Sequence, residues 1–176
     1  VHRADVVPQL AELLQAPVIS RQMGRGIVSD EHHLSIQAAA GHQLWKTADL
    51  VIGIGTRLQH VREWGIDDDL KVIRIDLDPL EMARVAPPTI DLVADSGEAS
   101  QALYDVLKKQ KVSRVDQSAK FKSIKQEFRK ELEHTITWQV EYLDVIRDAL
   151  PENGILVDEL TQVGHVTKLA LPVYNA

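Results

Sequence analysis

Residues 49–55, Asp49-Leu50-Val51-Ile52-Gly53-Ile54-Gly55, run almost without a polar side chain into a glycine turn. A strand covered on both faces needs such a continuous apolar run, whereas a half-buried one alternates. Downstream, Lys71 to Asp78 (KVIRIDLD) reads as the next strand, closed by Pro79, and Ile90 to Asp95 as another. Ser96 is expected to cap the helix that follows, with Ala99, Leu103, Val106 and Leu107 facing inward. Upstream, Asp5 is placed to cap a helix carrying Val7, Leu10 and Leu14 on one face, with Pro8 in its first turn. Pro17 to Ser20 reads as a short strand, Met23-Gly24-Arg25-Gly26 as a loop, and Ser29 to Gln37 as irregular. Strand and helix patterns that alternate at these short intervals predict an α/β fold, a parallel Rossmann-like sheet flanked by helices.

The character changes near Val112. Arg114 to His134 is polar and helical, with Phe121, Ile124, Phe128 and Leu132 spaced by three and four. A further helix, Val140 to Leu150, stops at Pro151-Glu152-Asn153-Gly154, a strong turn signal. Ile155 to Asp158 then reads as a new strand, and Thr161 to Leu169 as a helix. The expected organisation is therefore a nucleotide-binding-like domain over 1–111, a helical linker over 112–151, and the start of another domain over 152–176.

Composition narrows the function classes. The 176 residues, 44% hydrophobic, suit one globular α/β domain with a small appendage. The absence of cysteine excludes disulfides and thiolate chemistry, and no apolar run approaches the roughly 18 residues of a membrane span. A cytoplasmic location is the default. A net charge of −6 and few aromatic residues argue against a nucleic-acid partner. The basic stretch Lys120 to Lys130 reads as the solvated face of a helix.

Three loops are expected at the carboxyl ends of parallel strands, where open α/β sheets bind ligands. They are Met23 to Gly26 with Arg25; Gly53 to Arg57 with Gly53, Gly55, Thr56 and Arg57; and Asp76 to Pro79 with Asp76 and Asp78. Glycine lets the backbone approach a phosphate, Arg57 suits a diphosphate, and Asp76 or Asp78 suits ribose hydroxyls. The bland alternatives are an ordinary turn for the glycines, a turn and helix start for Asp78-Pro79, and simple exposure for Arg25. The seven histidines form no metal-binding spacing, since His32 and His33 are adjacent and expected to point apart. No G-x-S-x-G elbow occurs. Trp45, Trp64 and Trp138 read as packing residues.

With these residues placed, the chain resembles the thiamine-diphosphate enzymes that include acetolactate synthase, benzoylformate decarboxylase and oxalyl-CoA decarboxylase. The matching phrases, in the family's order, are LAELLQAPV, MGRGIVSDEHHLS, ADLVIGIGTRL, KVIRIDLDPLEM and DLVADSGEASQAL. The resemblance implies a central domain from a decarboxylase or carboligase that acts on a 2-oxo acid with thiamine diphosphate and Mg²⁺, as a dimer or tetramer. It implies no catalytic residue and no metal ligand in this chain. The GDG…N segment that holds metal and diphosphate is not in the sequence, nor is the family's glutamate-bearing N-terminal domain. PENGILVDELTQVG resembles the entry to the family's C-terminal domain, which brings Glu159 and Gln162 toward the thiamine diphosphate. The family's usual apolar strand before VHRAD implies a sheet of about five strands instead of six, with an open edge prone to self-association. Gln37 to His42 and Leu58 to Arg62 depart from the stretches that bind FAD, and His32-His33 replaces the usual His-Pro. These departures argue against FAD and leave a bare ADP-like nucleotide or an empty rim. A non-catalytic nucleotide-binding module is the competing reading. An NAD-dependent deacetylase-like enzyme lacks its histidine context and zinc cysteines here.

Overall fold

The structure, a computed structural model, describes residues 5–65 and 69–175, the side chain of Arg62 excepted. The start of the VHRAD segment and the Arg62 side chain thus lie outside the described residues. Seven helices and five strands follow in order among them. These are α1 (Val6–Leu14), β1 (Val18–Ser20), β2 (Ser35–Gln37), α2 (Ala38–Trp45), β3 (Leu50–Ile54), α3 (His60–Trp64), β4 (Lys71–Asp76), β5 (Ile90–Val93), α4 (Ser96–Lys109), α5 (Ser118–Thr135), α6 (Thr137–Ala149) and α7 (Gln162–Ala170). Every strand pairing among the described residues is parallel. The fold is the expected α/β class.

Two compact units form, and neither follows chain order: Val1–Leu13 with His42–Ser113, and Leu14–Gly41 with Arg114–Ala176. The first unit holds a sheet in the order β3-β4-β5, with β3 in register from Leu50 against Lys71 to Ile54 against Ile75. Its apolar core gathers Leu58, Val61, Leu70 and Val72, with Trp45 and Val51 packed against it. The second unit holds β1 and β2, paired from Val18 against Ser35 to Ser20 against Gln37. Its core joins α5, α6 and α7 through Leu132, Val140, Leu143, Val166 and Ala170.

Several expectations need correction. The five strands are divided between two sheets instead of sharing one. Ser35 to Gln37, read as irregular, is the strand that partners β1; three residues are too few to show a period. Asp95, not Ser96, caps α4, because its carboxylate accepts from the amides of Gly97 and Glu98. Val106 on that helix is exposed. Ile155 to Asp158 is not a strand: it has no ladder partner among the described residues, and Ile155 and Val157 are each 86% exposed. Trp138 is 51% exposed and is not a core residue. The rings of His32 and His33 stack at 4.5 Å instead of pointing apart, because they sit in a turn where side chains need not alternate. Within Lys120 to Lys130 the face is only partly solvated, since Lys125 is half-buried and donates to the carbonyls of Asp30 and His32. No described helix is long and apolar enough to cross a membrane.

Candidate functional site

The turns after β3, β4 and β5 meet at one end of the first unit's sheet, as parallel pairing requires. Gly55 follows β3 with φ +55°, a left-handed conformation that costs a side-chain-bearing residue about 1–2 kcal/mol. Its amide donates to the carbonyl of Ile75 (2.8 Å), hooking the turn onto β4. A Cβ on Gly55 would stand 3.0 Å from Ser96 Oγ, so the start of α4 closes over this turn. Gly53 has a different job. It lies within β3, buried, where the stem of Arg74 and the side chain of Leu58 cross it.

Thr56 Oγ1 accepts from the amide of Leu58 (3.2 Å), which tightens the loop. Arg57 is 67% exposed, with its Nε 3.7 Å from the Glu81 carboxylate, and Glu81 also pairs with Arg84. An ion pair this long and wet ties the guanidinium weakly. Asp76 ends β4, where its carbonyl accepts from the amide of Ala94 and its carboxylate from the amide of Asp78 (3.1 Å). The Asp78 carboxylate in turn accepts from the amide of Leu80 (2.9 Å). Each acid therefore spends one oxygen on shaping its own turn, a local role that Asx residues commonly play. Gly55, Thr56, Arg57, Asp76 and Asp78 belong to this rim, whereas Gly53 lies below it within β3; Ser96, expected only as a cap, and Arg74, not picked out in the sequence, adjoin them.

Arg25 belongs to the other unit. It is engaged by Asp30 (2.7 Å) and by the carbonyls of Thr167 and Leu171. Asp30 also accepts from Ser35 Oγ and from the amide of Val173, and its own amide donates to the carbonyl of Val173. Here the arginine fastens the segment after α7. In the same unit a cleft of about 990 Å³ is lined by Arg25, Arg147, Glu159 and Lys168 among others. Glu159 is exposed, with its carbonyl accepting from the amide of Thr161 (2.7 Å). Gln162 opens α7, exposed, beside the Thr161 cap. Among the described residues no group of three or more His, Cys, Asp or Glu side chains could hold a metal ion.

Comparison with known proteins places the chain in a family. Residues 2–103 match the family model described as "Thiamine pyrophosphate enzyme, central domain". Glyoxylate carboligase from Escherichia coli O157:H7 is 31% identical over 58% of the chain and 19% of its own length. The 2-hydroxyacyl-CoA lyase 1 of Mus musculus is 25% identical over 90% of the chain and 29% of its own length. Oxalyl-CoA decarboxylase from Escherichia coli K12 is 30% identical over 57% of the chain and 18% of its own length. The chain thus spans less than a third of the length of these relatives. Since the family match covers more than half of it, the chain belongs to the thiamine pyrophosphate enzymes, as a central domain.

Proposed function

We propose that the chain is the non-catalytic middle part of a thiamine-diphosphate-dependent enzyme that decarboxylates a 2-oxo acid or joins it to a second carbonyl. It would work with flanking domains of the same protein, as a dimer or tetramer in the cytoplasm, with residues 152–176 opening the next domain. The observation that carries this reading is the central-domain match over residues 2–103, with relatives named as carboligase, lyase and decarboxylase. The residues present do not fit the diphosphate and its Mg²⁺: the described residues offer no metal-binding group, and the sequence has no GDG run. Glu159 and Gln162 are the two positions the resemblance brings toward the cofactor, and both are exposed. No chemical step is therefore assigned to this chain. Purified alone with thiamine diphosphate and Mg²⁺, it is expected to show no turnover of pyruvate or glyoxylate. Measurable turnover would overturn the reading.

A second reading, that the rim binds an adenine nucleotide such as ADP, is favoured by one observation. The positive-φ turn at Gly55, the loosely tied Arg57 and the acids Asp76 and Asp78 lie on adjacent strand ends of one sheet. Melting temperature in the presence of ADP, FAD or NAD tests it; a shift with none of them would leave a scaffold role.

A further inference from the structure

Arg74 is a charged residue in the middle of the central strand β4, between Ile73 and Ile75, and it is 1% exposed. Among the described residues its guanidinium makes no ion pair. Nη2 donates to the carbonyl of Thr56 (2.8 Å) in the turn after β3, and Nη1 to the carbonyl of Met82 (3.3 Å) in the turn after β4. Nε is buried without a hydrogen-bond partner. Its aliphatic stem runs over Gly53, where a Cβ would stand 3.4 Å from Cδ. A buried cation is costly unless its donors are satisfied, so the two carbonyls are held with the strength of charge-assisted bonds.

The bond to Thr56 has a geometric consequence. A peptide unit is planar and trans, so its C=O and N–H point in opposite directions. With the carbonyl of Thr56 turned in to Arg74, the amide of Arg57 points away from the guanidinium. We infer that Arg74 is the positioning residue of the rim, one guanidinium that locks two turns and sets the Thr56–Arg57 peptide so that the Arg57 amide faces an anionic group. This rests on the reading of the rim as an adenine-nucleotide site, and it names the phosphate as the part of the ligand that depends on Arg74. Lysine at this position keeps the charge but not the planar fork that spans two acceptors.

The test compares ADP with adenosine, by calorimetry, on the wild-type chain and on Arg74→Lys. ADP is expected to bind about tenfold more weakly to the variant, the size of one lost charge-assisted contact, with adenosine unchanged. Equal weakening of both ligands, or of neither, would overturn the inference, because a merely structural role cannot single out the phosphate. If the wild-type chain binds neither, the nucleotide reading fails, and amide exchange judges the lock by itself. The amides of Leu58 and Arg84, bonded within the two turns, should then exchange faster in Arg74→Lys while the β3–β4 ladder keeps its protection. Unchanged exchange there would sink it. Should the variant not fold, the wild-type chain decides. The two amides sharing one opening free energy supports a common lock, and two distinct values refute it.

Discussion

Arg74 in the first unit and Arg25 in the second both tie loops together, and they do so differently. In the first unit Arg74 holds the turns after β3 and β4 through neutral carbonyls. In the second, Arg25 holds the segment after α7 through carbonyls and through Asp30, an acid that also gathers Ser35 and Val173. Lys125 adds another tie in that unit, reaching the carbonyls of Asp30 and His32. An arginine with a carboxylate partner serves structure. Arg74, without such a partner and under a glycine turn, instead fixes the orientation of the peptides that it holds.

The largest expected effect breaks the second arrangement. Asp30→Ala removes acceptors from Arg25, Ser35 and Val173 together and leaves a nearly buried guanidinium without its counter-charge. Unfolding in urea should show a loss of about 3–5 kcal/mol. Next, the two glycines of the β3 turn should separate. Gly55→Ala meets both a left-handed backbone and Ser96, and is expected to lose about 1–2 kcal/mol. Gly53→Ala meets only ordinary contacts, and should stay within about 0.5 kcal/mol of wild type by the same measurement.

A smaller effect depends on pH. Burial holds the Lys125 ammonium below the ordinary lysine value of 10.5, and the charge of Asp30 opposes this. The unfolded chain then binds the proton more readily than the folded one in the window just under 10.5. Stability from this group rises with pH there. The free-energy difference between wild type and Lys125→Met should therefore grow in favour of wild type as pH climbs through that window. A flat difference would contradict the burial. Smallest of all, Arg84→Ala removes an exposed partner of Glu81, and should change stability by less than about 0.5 kcal/mol.

The β3 strand, its glycine turn and the β4 strand were legible because long apolar runs and glycines are local signals. The Asp76 and Asp78 positions were legible for the same reason, although their part in shaping their own turns was not. Arg74 carried a local signal of its own, an arginine between two isoleucines of an expected strand. The Arg25 network could not be read, since its partners Thr167 and Leu171 lie more than 140 positions away. The extended stretch at Ile155 shows the opposite failure. Its apolar pattern is strand-like, but a strand needs a neighbour to pair with, and none is present among the described residues.

Calorimetric titration of ADP into the wild-type chain, into Arg57→Ala and into Asp76→Ala bears most directly on the rim. Saturable binding to the wild type, weakened in both variants, is the predicted result. No heat of binding in the wild type, or binding indifferent to both substitutions, would contradict it.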